Sequence, residues 1–111
     1  MIKKEDGLVN WAKSAHVIYN QWRAYIKWPG VYTFSKDKRG MRNRLKLVEI
    51  ECLGGQSDQP LGTLTAKDKG IFVACSRGII KLIKLQPEGK KTMTAKEFLN
   101  GHREIIGQKL S

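Results

Sequence analysis

Residues 41–52, MRNRLKLVEIEC, alternate polar and apolar side chains, and the alternation changes phase half-way. From Met41 to Leu47 the odd positions are mostly apolar, while Arg42, Arg44 and Lys46 take the even ones. From Val48 onward the apolar residues are Val48, Ile50 and Cys52, and Glu49 and Glu51 are polar. Successive strand side chains point to opposite faces, so one straight strand cannot bury both halves on the same side. A strand that bulges or coils between them can. The pattern predicts such a break near Leu47–Val48, and a long, strongly curved strand is what closing a small barrel requires. An unbroken flat ladder through these residues would count against a barrel.

The flanking segments support the same architecture. Ala15, Ile18, Trp22, Tyr25 and Ile26 recur at steps of three and four, predicting a helix from about Ser14, its N-cap, to Ile26. Trp28-Pro29-Gly30 ends it, because proline disfavours helical geometry at the residue before it. Strands are predicted at Val31–Phe34, 41–52, Gly62–Ala66, Ile71–Cys75 and Ile79–Leu85, separated by short charged or glycine-containing turns. Lys36–Gly40 is one such turn, Gly54–Pro60 a loop, and Gln86–Lys91 another. Thr94 and Glu97 are spaced as a capping box that opens a short helix to about Asn100. Ile105, Ile106 and Leu110 read as a last apolar strap. The expected fold is mainly β: an OB-like five-stranded barrel, preceded by one N-terminal helix and followed by a short C-terminal one.

Charge narrows the function. The 111 residues carry 21 Lys and Arg against 10 Asp and Glu, a net +11, with an isoelectric point near 9.9. That balance points to a polyanionic partner. A membrane surface is the competing partner, but no basic amphipathic helix, lipidation signal, signal peptide or spanning apolar run is evident. The charge is also concentrated: residues 36–46 hold +5 and 76–91 hold +4, nine of the +11. Simple solubility would scatter it. Cys52 and Cys75 each close an apolar run and read as free thiols of a reducing cytosol.

Enzyme signatures are missing. There is no glycine-rich phosphate loop and no nucleophile elbow, and His16 and His102 lack metal-ligand partners at useful spacing. The basic residues are the candidates instead. Arg42, Arg44 and Lys46 alternate along a strand, which places them about 7 Å apart on one face, near the phosphate repeat of a nucleic acid strand. Lys36, Lys38 and Arg39 extend the patch into the preceding turn, and Lys90 and Lys91 form a second contributor. Lys81 and Lys84 have opposite parity, so either a bulge intervenes or only one of them joins. A row of solvated edge lysines is the bland alternative. Seven of the nine aromatics precede the basic strands and read as core and helix-docking residues, not as stacking platforms interleaved with cations. The expectation is therefore phosphate contact and shape recognition of a structured RNA, with little base reading.

Two segments bring a family into view. KKEDGLVNWAKSAHVIYNQWRAYIKWPGVYTF resembles the linker end, first helix and first strand of methionyl-tRNA formyltransferase C-terminal domains, through Lys4-Glu5-Asp6, Asn10-Trp11, Ile18, Arg23 and Trp28 to Thr33. LQPEGKKTMTAKEFLNGHR is similar to the family's later run, with Leu85, Gln86, Gly89, Lys90, Lys91, Met93, Ala95, Phe98 and Leu99 in place. Asn10 departs from the Asp usual there. The resemblance implies that residues 1–12 are the end of an interdomain linker and 13–111 an OB-like domain. Beginning inside what resembles linker, the chain reads as an isolated domain. It also implies a separate N-terminal catalytic domain that transfers a formyl group from 10-formyltetrahydrofolate to methionyl initiator tRNA. The family's catalytic Asn-His-Asp set and folate motifs match nothing in this chain, which implies no cofactor and no catalysis here. The expected setting is a cytoplasmic monomer holding tRNA. Two alternatives stay open: the C-terminal domain of a sugar-nucleotide formyltransferase, and a stand-alone basic RNA-binding module.

Overall fold

The computed structural model describes residues 3–110. Helix α1 spans Ala15–Tyr25, and the Ser14 hydroxyl accepts the Val17 N–H at 3.2 Å as its N-cap. Its apolar face works as the spacing predicts. Ala15 and Ile18 are buried, and Tyr19, Trp22 and Tyr25 pack beside them. The Trp22 indole N–H donates to the Leu47 carbonyl at 3.0 Å, which pins the helix to the sheet where the long strand bends.

The strands are β1 Tyr32–Lys36, β2 Arg42–Leu53, β3 Leu64–Lys67, β4 Gly70–Ala74, β5 Ile79–Pro87 and β6 Met93–Thr94. Five of them form an antiparallel half-barrel in the order β1-β2-β5-β4-β3, and β6 pairs with β5. The fold is thus the mainly β architecture expected, with the short sixth strand added. Two residues carry no readable periodicity, which is why β6 escapes sequence analysis. Helix α2, Ala95–Gly101, follows it, and its capping box is made by Thr94 and Glu97 in both directions.

The break predicted near Leu47–Val48 is present. Leu47 pairs with Leu85 and Glu49 with Lys84, so Val48 is an extra residue on β2. The next pair is Ile50 with Leu82, so Ile83 is an extra residue on β5, and the register recovers. The inward side chains therefore switch from Leu45 and Leu47 to Ile50 without the sheet turning inside out. Leu45 and Leu47 are fully buried, each stabilising the fold by about 1.5–3 kcal/mol over exposure. Leu64, Ile71, Val73, Ile80, Leu82, Leu85 and Phe98 complete the centre.

The C-terminal strap spans the opening of the half-barrel. Gln108 pairs its backbone with β3, accepting the Leu64 N–H at 2.8 Å. Its side-chain amide meets β1, accepting the Lys36 N–H at 3.1 Å and donating to the Lys36 carbonyl at 2.8 Å. Ile105 and Leu110 are buried beneath the strap as expected, whereas Ile106 is exposed. At the other terminus, Leu8 bridges to Tyr32, and Val9 and Trp11 enter the core. The Trp11 N–H donates to the Thr33 hydroxyl at 3.0 Å.

Candidate nucleic-acid interface

The β1–β2 hairpin builds the basic face. Its register sets Tyr32 opposite Lys46, Phe34 opposite Arg44, and Lys36 opposite Arg42. Directly opposed residues in an antiparallel pair share a face. Tyr32, Phe34 and Lys36 thus lie among Arg42, Arg44 and Lys46 on the outer surface, while Thr33, Leu45 and Leu47 point inward. This corrects the reading of these aromatics as core residues set apart from the cations. The Arg42 guanidinium lies 3.7 Å from the Phe34 ring centroid, and that of Arg44 lies 5.9 Å from Tyr32. Tyr32 and Phe34 meet edge to face at 5.6 Å. Local alternation could not show this, because the pairing partner is a property of the hairpin and not of either strand.

The bulge divides the outer face into two electrostatic halves. Before it, Arg42, Arg44 and Lys46 meet Lys36, the aromatics and Gln86 across the strand pairs, and Glu88, just past the end of β5, accepts the Arg44 backbone N–H with its carboxylate at 3.2 Å. After it, Glu49 faces Lys84 and Glu51 faces Lys81, and the Lys84–Glu49 pair closes to 3.8 Å. The parity objection to Lys81 and Lys84 falls, since the extra residue Ile83 resets the alternation and turns both outward. They nonetheless lie in the neutralised half. Lys81 also sits 5.9 Å above the Phe72 ring.

The turn between β1 and β2 is organised by Asp37. Its carboxylate accepts the N–H groups of Met41 and Arg39, both at 2.9 Å. The Met41 hydrogen bond is the main reason its carboxyl titrates below the usual range. Lys38 and Arg39 are thereby held at the rim of a groove of about 400 Å³ that Arg44 and Lys90 also line. A second, open groove of about 600 Å³ lies on the other side of Arg44, lined by Lys4, Arg44 and Lys46 together with Trp28, Tyr32 and Phe34. All eight cations singled out in the sequence are exposed: Lys36, Lys38, Arg39, Arg42, Arg44, Lys46, Lys90 and Lys91. Lys91 lines neither groove. Lys4, taken as linker, joins the second one because the segment 4–11 folds back along β1.

Of the two histidines, His102 lines the first groove. His16 is exposed on α1, and His102 stacks on Phe98 with ring centroids 4.3 Å apart. Among the described residues no group of three or more His, Cys, Asp or Glu is placed to hold a metal. Nor, among the described residues, is any helix long and apolar enough to cross a membrane.

The family model for the formyl transferase C-terminal domain matches residues 1–103. The chain belongs to that family. This formyl transferase C-terminal domain is 39% identical over 102 residues to a methionyl-tRNA formyltransferase of Thermodesulfovibrio yellowstonii, covering 92% of the chain and 31% of the relative. It is 41% identical over 103 residues to that of Citrifermentans bemidjiense, covering 93% and 30%. For the enzyme of Campylobacter curvus the match is 38% over 110 residues, 99% of the chain and 34% of the relative. The domain therefore spans about a third of the length of these relatives. Among solved structures, a variant of HypX from Aquifex aeolicus shares the fold, with a TM-score of 0.63 at 15% identity over 92% of this chain and 18% of that one.

Proposed function

We propose that this domain holds tRNA for a methionyl-tRNA formyltransferase through phosphate contacts made by its basic face. The observation that carries the reading is the first half of β2, where Arg42, Arg44 and Lys46 stand on one surface beside Lys36. Lys38, Arg39 and Lys90 extend it around the Arg44 groove, and Lys91 lies close by in the chain. Cations at strand spacing neutralise successive phosphates whatever the bases, so such contacts position a nucleic acid without reading it. The catalytic step belongs to a separate N-terminal domain, which binds 10-formyltetrahydrofolate as formyl donor and the methionyl end of the initiator tRNA. In that arrangement this chain supplies affinity and orientation, works as a monomer in the cytoplasm, and shows little preference for initiator over elongator tRNA.

Charge reversal tests the assignment. Replacing Arg42 and Arg44 together by Glu is expected to weaken tRNA binding by about tenfold or more in a filter assay. The variant should melt near wild type, since both side chains are exposed. Unchanged binding would remove β2 from the interface. A collapse of thermal stability would make the arginines structural.

A further inference from the structure

Phosphate contact leaves one part of the basic face unexplained. Trp28 is 56% exposed, and among the described residues its indole makes no hydrogen bond, ring or cation contact. The other two tryptophans are committed, Trp11 to the Thr33 hydroxyl and Trp22 to the Leu47 carbonyl. Trp28 instead lines the open groove of about 600 Å³ together with Pro29, Tyr32, Arg44 and Lys46. Sites of roughly 300–1,000 Å³ suit a ligand of nucleotide size. Glu5 and Glu88 also line the groove. Two carboxylates disfavour a cluster of bare phosphates, but they accept hydrogen bonds from ribose hydroxyls and base amino groups.

Resting on the reading of this face as an RNA surface, we infer that the groove seats an unpaired nucleotide. Its base stacks against Trp28, with Tyr32 as the second wall, and its flanking phosphates lie on Arg44 and Lys46. Phe34 takes no base, because the Arg42 guanidinium already covers its ring. The combination of exposed aromatic and adjoining cations is the one single-strand binders use, and it is indifferent to base identity. A duplex cannot enter in this way, since its bases are stacked on one another.

Three probes separate stacking from charge: a short unpaired RNA oligomer, a blunt RNA duplex, and inorganic polyphosphate. The oligomer is expected to quench tryptophan emission of the wild-type chain, while polyphosphate binds without quenching. Trp28→Ala should abolish the quench and weaken the oligomer by about 5- to 150-fold, the contribution of one base–aromatic stack. Duplex affinity should stay unchanged, and Trp28→Phe should restore most of the oligomer affinity. If the oligomer binds without quenching, or Trp28→Ala leaves its affinity intact, the nucleotide seat is refuted while the phosphate reading stands. If none of the three probes binds wild type, both readings fall.

Discussion

Cys75 follows β4 with its side chain buried, its thiol 3.7 Å from the Val73 carbonyl. Burial pushes its pKa up to about 11 from an ordinary 9.0. A folded-state pKa above the unfolded one means that folding favours the neutral thiol. That stability is complete below about pH 9 and is lost as the pH rises through about 11. Two outcomes follow in solution. At about pH 8 a thiol reagent should label the half-buried Cys52 and spare Cys75 until the chain unfolds. The drop in melting temperature between about pH 9 and 11 should be smaller in Cys75→Ala than in wild type. Labelling of both thiols at equal rates in the native protein would contradict the burial.

Between elements, the hydrogen bonds of Gln108 act as a substitute for strand pairing. Its backbone joins β3 and its amide joins Lys36 of β1, so one residue connects the two edges of the half-barrel. Gln108→Ala removes both bonds to Lys36 and is expected to cost about 1–3 kcal/mol in urea unfolding. Hydrogen exchange at the Lys36 amide should speed up more than at β5. Unchanged stability with a protected Lys36 would mean that the edge is closed by something else. The bulge at Val48 was legible in the sequence because it reverses an alternation of opposite chemistry, arginine against leucine and then glutamate against isoleucine. Its counterpart at Ile83 was only half legible: the opposite parity of Lys81 and Lys84 raised a bulge as one of two readings, and KLIKL, with adjacent apolar residues Leu82 and Ile83, does not decide between them. The strap residues Ile105 and Leu110 were readable from hydropathy. The role of Gln108 was not, since an amide in a polar tail has no local signature. Likewise the cations of the candidate interface could be read from strand parity, but the aromatics among them depend on how two strands align.

At the scale of the whole molecule, the net +11 becomes informative through its placement. Lys81 and Lys84 face glutamates in the far half of β2, and the near half gathers its cations around two grooves that share Arg44 and Glu88. If phosphate neutralisation is what this face does, binding must release counterions. A salt series of tRNA binding to the chain measures that release directly. The account predicts that log affinity falls with log salt at a slope steeper than about −3, each contributing cation adding about 0.7–0.9. In the Arg42→Gln, Arg44→Gln double variant the slope should flatten by about 1.4–1.8. A slope near zero in wild type, or an identical slope in the double variant, would contradict it.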